Sequence, residues 1–247
     1  MDHNPILCAG STPAVHYAAE YLQNHGMHVT WTPGNFPCHI LLDVPAFFPD
    51  GKPRREDIRE TVLSKSPDGT VLFGGRLKGP ELTRFRTIDL LEDEIYLAKN
   101  AAITAHCALS IAAQLLPVTL ADSYPLILGW GRIGKCLASL LKGLGAEVTV
   151  CARKKVDLAM LSALGYRGEP FSGIRSDRHR LILNTVPAPA FTLSPTKKTV
   201  MLDLATGSGL EIPGMIRAGG LPGIHAPESS GILIGETVLR LLREVEA

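Results

Sequence analysis

Hydrophobic and polar positions alternate in blocks along the first half of the chain. Apolar runs typical of strands lie at 6–10, 27–32, 39–45 and 70–75. Residues 11–26 predict a helix, because Pro13 stands near their start and Gly26 at their end. Strands that alternate with helices in this way predict a parallel sheet covered by helices.

The second half repeats this alternation more clearly. Strand-like runs lie at 125–129, 146–153, 180–187 and 199–205, and helix-like stretches lie at 132–145, 154–165 and 227–247. Residues 100–116 are nearly apolar on all sides, which predicts a largely buried helix that ends before Pro117. We therefore expect an α/β fold with two domains, 1–99 and 100–226, linked by this helix, with 227–247 packing back toward the first.

The sequence LILGWGRIGK, at 126–135, places a glycine-rich turn between a strand and a helix. Gly129, Gly131 and Gly134 form the pattern G-x-G-x-x-G, in which the glycines serve the tight turn, the approach of a pyrophosphate and close helix packing. The start of the helix, with Arg132 and Ile133, offers N–H groups and the helix dipole to an anion. The pattern predicts a dinucleotide site, and a strand–helix turn without a ligand is the alternative.

The end of the next strand predicts which dinucleotide is bound. NAD sites usually place an acidic residue there to bind the ribose 2′-hydroxyl, but this chain reads VCARKK and has no acid before Asp157. Arg153, with Lys154 or Lys155, would bind the 2′-phosphate of NADP through charge-assisted hydrogen bonds. A solvated basic helix start is the alternative. We expect NADP rather than NAD.

Composition and charge limit which binding partners and which cellular location we expect. The 247 residues are 20% charged with a net charge of +1, which gives no reason to expect nucleic acid or a membrane surface as a partner. No apolar run is long enough to span a bilayer, and the first residues do not resemble a secretion signal. The five cysteines are scattered without a C-x-x-C pair, which argues against a disulfide framework and a zinc site. We expect a cytoplasmic protein without a metal.

Several segments together resemble the A subunit of bacterial dipicolinate synthase: 86–109, 128–154, 183–187, 202–205 and 220–233. The likeness is clearest from about residue 86 onward and faint before it. It implies two Rossmann-like domains with parallel sheets, as in the two-domain NAD(P)-dependent dehydrogenases. It also implies that NADP oxidises a dihydrodipicolinate-type cyclic amino dicarboxylate to dipicolinate in sporulation, with a homo-oligomeric state and a flavoprotein-like partner subunit.

The resemblance also implies roles for residues after the later strands. Those expected beside the cofactor are Asn184, Thr185, Val186, Pro187, Leu204, Ala205 and Pro222. Leu221, Pro222 and Gly223 should form the loop that leads into the last helix. Asp203 should end its strand near the nicotinamide, where a catalytic role and a role in holding a neighbouring loop are both open.

Hydride transfer leaves a proton to be removed, so a histidine near the nicotinamide is a candidate base. His106, expected at the start of the interdomain helix, and His225, before the last helix, are the candidates; for His106 a partly buried structural role is the alternative. Hydroxyl groups at expected helix starts are candidates for binding a substrate carboxylate, and helix capping explains them equally well: Thr104, Ser229 and Ser230.

The chain departs from the family pattern mostly on the substrate side. His106 and Cys107 replace a Glu–Gly pair, and a short strand expected after residue 220 is absent from the sequence. Because of these changes, one alternative is a non-catalytic NADP-binding regulatory subunit. Another is a 2-hydroxy-acid dehydrogenase-like enzyme, suggested by His225, but Thr206-Gly207-Ser208 stand where such enzymes keep a carboxylate-binding arginine.

Overall fold

The computed structural model describes residues 4–32, 39–187, 193–205 and 212–246, which form two compact units. One unit contains the chain up to Asn100 and from Pro222 onward, and the other contains Ala101–Leu221. The helices of the described residues are α1 (Pro13–Asn24), α2 (Glu94–Leu115), α3 (Arg132–Gly143), α4 (Lys155–Ala163), α5 (Leu221–His225) and α6 (Pro227–Glu246). The strands are β1 (Ile6–Cys8), β2 (Val29–Thr30), β3 (His39–Leu41), β4 (Val71–Gly74), β5 (Arg86–Asp89), β6 (Leu126–Leu128), β7 (Thr149–Cys151), β8 (Arg167–Glu169), β9 (Leu181–Asn184), β10 (Val200–Asp203) and β11 (Met215–Arg217).

The first unit is built on a parallel sheet with the order β2-β1-β3-β4-β5. The central strands β1, β3 and β4 are buried along their whole length, as expected for strands covered on both faces. Helices α1 and α6 pack closely together, because Gly231 and Gly235 leave room for α1. A Cβ at Gly231 would lie 2.5 Å from the carbonyl oxygen of Ala14, and one at Gly235 would lie 2.6 Å from the ring of Tyr21.

The second unit is built on a parallel sheet with the order β11-β10-β9-β6-β7-β8. Counted from β6, this is the strand order of the dinucleotide-binding Rossmann fold, 3-2-1-4-5-6 read from β8. The chain reverses direction across the sheet between β6 and β9, so the carboxyl ends of these neighbouring strands form the topological switch point. The expected α/β architecture with parallel sheets is confirmed.

Several local expectations are wrong. Helix α2 begins at Glu94 rather than near residue 100, so His106 and Thr104 lie about three turns inside it and not at its start. Residues 221–225 form the short helix α5 rather than a loop. The strand that closes the sheet beside β10 is β11, which ends before residue 220, and the segment after residue 220, where the sequence lacks an expected strand, forms α5.

Candidate dinucleotide-binding site

The glycine-rich turn between β6 and α3 is held by two contacts that exclude a side chain. Gly129 has a φ of +107°, and a Cβ there would lie 2.6 Å from Oγ1 of Thr185. A Cβ at Gly134 would lie only 2.2 Å from the carbonyl oxygen of Gly129, so the first turn of α3 rests directly on the backbone of the turn. Only glycine fits these two positions without a shift of the backbone.

Gly131 is different, because its surroundings are open. A Cβ built there would meet no heavy atom of the described residues within 4 Å, apart from its chain neighbours. Its backbone is extended, with φ of −84° and ψ of −169°, so conformation does not require a glycine. Gly131 is the N-cap of α3, and no side chain caps that helix end. Neither packing nor backbone conformation therefore requires a glycine at this position. Close approach of a ligand to the backbone would require one.

The first residues of α3 point the amide end of the helix at this opening. Arg132 is exposed, Ile133 is half-buried and Gly134 is buried. The first amides of an α-helix have no partner inside the helix, and the helix dipole places a partial positive charge there. The turn therefore presents an anion-binding end at the carboxyl edge of the sheet, beside the switch point between β6 and β9.

Hydrogen bonds tie the ends of β6, β9 and β10 together beside the turn. Thr185 donates its hydroxyl to the carbonyl oxygen of Leu128 at 2.8 Å, which fixes the chain after β9 against the end of β6. Asn184 is fully buried and donates Nδ2 to Asp203 Oδ1 at 2.8 Å and to the carbonyl oxygen of Val186 at 3.1 Å. These bonds hold the segment after β9 in one conformation at the edge of the opening.

Asp203 is a buried carboxylate that accepts hydrogen bonds from neighbouring groups of the protein. It is 4% exposed, and its Oδ1 accepts hydrogen bonds from Asn184 and, at 3.2 Å, from the backbone N–H of Ala205. Of its two expected roles, the geometry favours holding the adjacent loop over proton transfer. Leu204, the neighbour of this pair, is buried, whereas Ala205 is half-buried and Pro187 is exposed.

Positive charge lies after β7, on the other side of β6. Arg153 and Lys154 are exposed, and within the described ranges no hydrogen bond or ion pair engages their side chains. The strand end itself adds no negative charge, because burial and the nearby Glu169 raise the pKa of the Cys151 thiol to about 12. The end of β7 carries free cations and no acid of its own, and the nearby Glu169 at the end of β8 accepts a hydrogen bond from Arg167 Nε. This arrangement matches the requirement for binding a phosphate group.

The first unit has an analogous turn after β1, but a side chain of the protein fills it. Asp43, after β3, accepts hydrogen bonds from the backbone N–H groups of Ser11 and Thr12 at 3.0 Å each and from the hydroxyl of Thr12 at 2.8 Å. Arg55 donates to the carbonyl oxygen of Ala9 in the same turn. The sequence analysis does not predict this network; the local feature that indicates it is a carboxylate directly after an apolar strand.

The remaining candidates are divided between the two units. Thr104 is 8% exposed and His106 is exposed, on different sides of α2 in the second unit. Those in the first unit are Pro222 and His225 in α5, and Ser229 and Ser230 in the first turn of α6. Pro222 and Ser230 are buried, whereas His225 and Ser229 are exposed. Thr206-Gly207-Ser208 lie outside the described residues.

Two other kinds of site are missing from the part of the chain that the structure describes. None of the helices in those ranges combines the length and hydropathy needed to cross a bilayer. No cluster of His, Cys, Asp or Glu side chains in the same ranges has the arrangement of a metal site. The glycine turn with its flanking strand ends is therefore the candidate site that the geometry supports.

Known proteins give an independent comparison. The A subunit of dipicolinate synthase from Bacillus subtilis (strain 168) is 28% identical over 211 residues, which cover 77% of this chain and 70% of that protein. The crystal structure of the corresponding protein from Bacillus halodurans matches over 98% of both chains with a TM-score of 0.81 and 21% identity. A transhydrogenase from Sinorhizobium meliloti matches over 98% of this chain and 93% of its own, with a TM-score of 0.66 and 14% identity. No family model matches the chain.

Sequence and fold therefore agree on one relationship. The structural alignments show the fold, and the sequence match adds a specific relative that extends over most of the chain. The identity is low, so the relationship is a distant one. The chain is therefore similar over most of its length to the A subunit of dipicolinate synthase, and it shares the fold of that protein.

Proposed function

We propose that the chain is an NADP-dependent oxidoreductase that acts on a cyclic amino dicarboxylate of the dihydrodipicolinate type. The observation that carries the proposal is the bare backbone at Gly131, which opens the N-terminus of α3 beside Arg153 and Lys154, two cations that no described side chain pairs. In this proposal the pyrophosphate lies on the amides of α3 and the 2′-phosphate on the two cations. The substrate class follows from the similarity to the dipicolinate synthase relative.

The residues present fit such a cofactor. A Cβ at Gly131 would occupy the opening, so the glycine itself is the cradle for the pyrophosphate. Thr185, Val186 and Pro187 would line the ribose side, and Leu204 with Ala205 the nicotinamide side. When bound, the nicotinamide supplies the hydride acceptor.

In this proposal the residues around the nicotinamide have three roles. The amides of α3 bind and orient the diphosphate, which fixes the position of the rest of the dinucleotide. The Asn184–Asp203 pair holds the loops after β9 and β10 rigid, so that the reactive ring meets substrate in one orientation. Loss of a hydride and a proton from the dihydro ring also requires a base, and the exposed His106 and His225 are the proposed acceptors. Thr104, Ser229 and Ser230 are the proposed donors to substrate carboxylates.

Calorimetric titration with NADP and NAD tests the cofactor assignment. We expect NADP to bind at least about tenfold more tightly than NAD, since only NADP carries the phosphate that Arg153 would bind. Arg153→Gln should remove most of this preference and leave NAD affinity unchanged. Arg175→Gln is the matched control, because Arg175 is an exposed arginine of the same unit that precedes the turn at Ser176–Arg178 and does not follow β7. Equal or tighter binding of NAD by the unchanged protein would contradict the assignment.

The second candidate is a non-catalytic NADP-binding subunit. It is favoured by Asp203, whose visible hydrogen bonds are structural, and by the replacement of a family Glu–Gly pair by His106 and Cys107. Turnover of dihydrodipicolinate, followed as NADPH formed with and without a flavoprotein-like partner subunit, separates the two. Binding of NADP without any NADPH formation in either mixture would favour the regulatory role. The homo-oligomeric state, the cytoplasmic location and the need for a partner stay predictions.

A further inference from the structure

A cavity of about 270 Å³ lies in the second unit, away from the glycine turn. It is lined by Tyr124, Glu147, Thr149, Arg167, Arg178 and His179. Thr149 and Arg167 are the first residues of β7 and β8, and Tyr124 and His179 come two residues before β6 and β9. Because the strands are parallel, these residues meet at the amino edge of the sheet. The dinucleotide site lies at the carboxyl edge, so the cavity is not part of it.

The walls of the cavity are fixed by backbone hydrogen bonds. The N–H of Thr149 donates to the carbonyl oxygen of Pro125 at 3.0 Å, and Arg167 N–H donates to the carbonyl oxygen of Val148 at 3.3 Å. The carbonyl oxygen of His179 accepts the hydroxyl of Thr199 at 2.8 Å. These bonds fix the backbone of Thr149, Arg167 and His179 at the cavity wall.

His179 supplies a buried acceptor. Its side chain belongs to a residue only 7% exposed, and Nδ1 lies 2.6 Å from the carbonyl oxygen of Tyr124. A carbonyl oxygen only accepts, so Nδ1 carries the hydrogen and Nε2 of the neutral ring has a lone pair. No atom of the described residues donates to Nε2. Glu147, whose carboxylate has no partner in the same ranges, is a second acceptor on the cavity wall.

Donors line the rest of the cavity. Arg167 donates Nε to Glu169 at 2.9 Å, which leaves both terminal nitrogens of its guanidinium without a partner among the described residues. Arg178 is exposed and makes no side-chain hydrogen bond or ion pair within those ranges. The hydroxyl of Thr149, a residue 5% exposed, is also without an acceptor there. These unpaired groups face the open cavity, where water or a ligand would satisfy them.

This mixture of charges selects the kind of ligand. A simple anion would gain from Arg167 and Arg178 but would be repelled by Glu147, and a simple cation would meet the opposite problem. A molecule with two carboxylates and one ammonium group satisfies both arginines together with Glu147 and Nε2 of His179. We propose that this cavity binds a small amino dicarboxylate, of which an acidic amino acid is the simplest example.

Calorimetric titration of the full chain with L-aspartate and L-glutamate tests the proposal, with succinate as the probe that lacks the ammonium group. We expect at least one amino acid to bind at least about tenfold more tightly than succinate. Arg178→Gln should weaken that binding about tenfold or more, whereas Arg175→Gln, its exposed neighbour outside the cavity, should not change it. Saturating NADP should leave the affinity unchanged, because the two sites lie at opposite edges of the sheet.

Glu147→Gln separates a site for amino dicarboxylates from a site for anions. In the proposed site this variant loses affinity for the amino acid and gains affinity for succinate, because the carboxylate that bound ammonium and repelled anions is gone. Arg178 and Glu147 are both exposed, so thermal unfolding of each variant should match the unchanged protein. The proposal is overturned if neither amino acid binds at about 10 mM, a concentration beyond which affinity is negligible. It is equally overturned if succinate binds as tightly as the amino acid.

Discussion

Substitution of alanine at Gly131 and Gly134 separates the ligand role of one glycine from the packing role of the other. Gly131 has space for a Cβ and a backbone conformation that alanine adopts, so Gly131→Ala should cost only about 0.5 kcal/mol of stability, the loss of a favourable N-cap. In Gly134→Ala the new Cβ would lie 2.2 Å from a backbone oxygen. Such overpacking costs about 1–3 kcal/mol, and the better helix propensity of alanine returns up to about 1 kcal/mol.

Gly131→Ala, which should cost little stability, should weaken NADP binding strongly. In Gly131→Ala the methyl group stands where the pyrophosphate has to approach the amides of α3. Loss of one charge-assisted hydrogen bond, about 1.5–3 kcal/mol, predicts binding of NADP that is roughly 10- to 100-fold weaker, in a protein that unfolds almost normally. Gly134→Ala should lower both the stability and the affinity for NADP, since the turn itself must shift.

Urea unfolding and calorimetric titration with NADP measure the two effects on the same samples. Gly143→Ala is the matched control, because Gly143 ends the same helix and a Cβ there meets nothing within 4 Å among the described residues. It should leave NADP affinity unchanged and raise stability slightly. If Gly131→Ala binds NADP as tightly as the unchanged protein, the dinucleotide does not lie on this turn, and the proposed function loses the observation on which it depends.

Three further predictions concern the fold around the site. Asp203→Leu should lower the free energy of unfolding by about 1–3 kcal/mol in urea and weaken NADP binding, because the N–H of Ala205 and one bond of Asn184 lose their acceptor; unchanged binding would exclude a positioning role. Gly231→Ala should cost at least about 1–3 kcal/mol, because the Cβ would collide with the backbone of α1, and the same cost for Gly143→Ala would contradict that reason. Burial raises the pKa of the Cys8 and Cys151 thiols from 9.0 to about 12, so only the unfolded chain releases these protons between those values. The free energy of unfolding should therefore fall as pH rises above about 9, by about 1.4 kcal/mol per pH unit for each thiol. Urea titrations at about pH 8, 9 and 10 measure this change. A flat profile would show that the thiols are not buried.

Strands were predictable from the sequence where both of their faces are buried. The central strands β1, β4, β6 and β9 are fully buried and form uninterrupted apolar runs. The edge strands β5, β8 and β11 were missed, because most of their side chains are exposed or half-buried and leave no apolar run. Pairing with a neighbour stabilises an edge strand, and that neighbour is distant in sequence.

The start of α2 carries a local capping signal at Asp93. Asp93 accepts the backbone N–H of Tyr96 at 2.7 Å, as an N-terminal capping residue does. Although burial opposes it, hydrogen bonds from Arg240 and from this N–H hold the pKa of Asp93 below its usual value. The apolar pattern predicts a helix only from residue 100, because 94–99 mix charged and apolar residues. That prediction placed Thr104 and His106 at a helix start where they do not lie.

The contact between Asn184 and Asp203 shows what a sequence without a fold cannot give. Both residues end apolar strands; the resemblance implies a place beside the cofactor for Asn184 and near the nicotinamide for Asp203. The strand order makes β9 and β10 neighbours, and only then does the hydrogen bond between the two side chains become visible. The sequence therefore offers both residues as candidates at strand ends, whereas their hydrogen bond to each other depends on which strands are neighbours.

The two βα turns of the chain show how little separates a ligand site from a structural turn. Each follows the first strand of a parallel sheet and lies beside the strand across the topological switch point. In the first unit that neighbouring strand is followed by Asp43, whose carboxylate takes the amides at the start of α1. In the second it is followed by Thr185, whose hydroxyl donates instead to the carbonyl oxygen of Leu128. A carboxylate in place of Thr185 would supply the anion from within the protein, so the choice of a neutral residue at this position is itself an argument that the anion comes from outside.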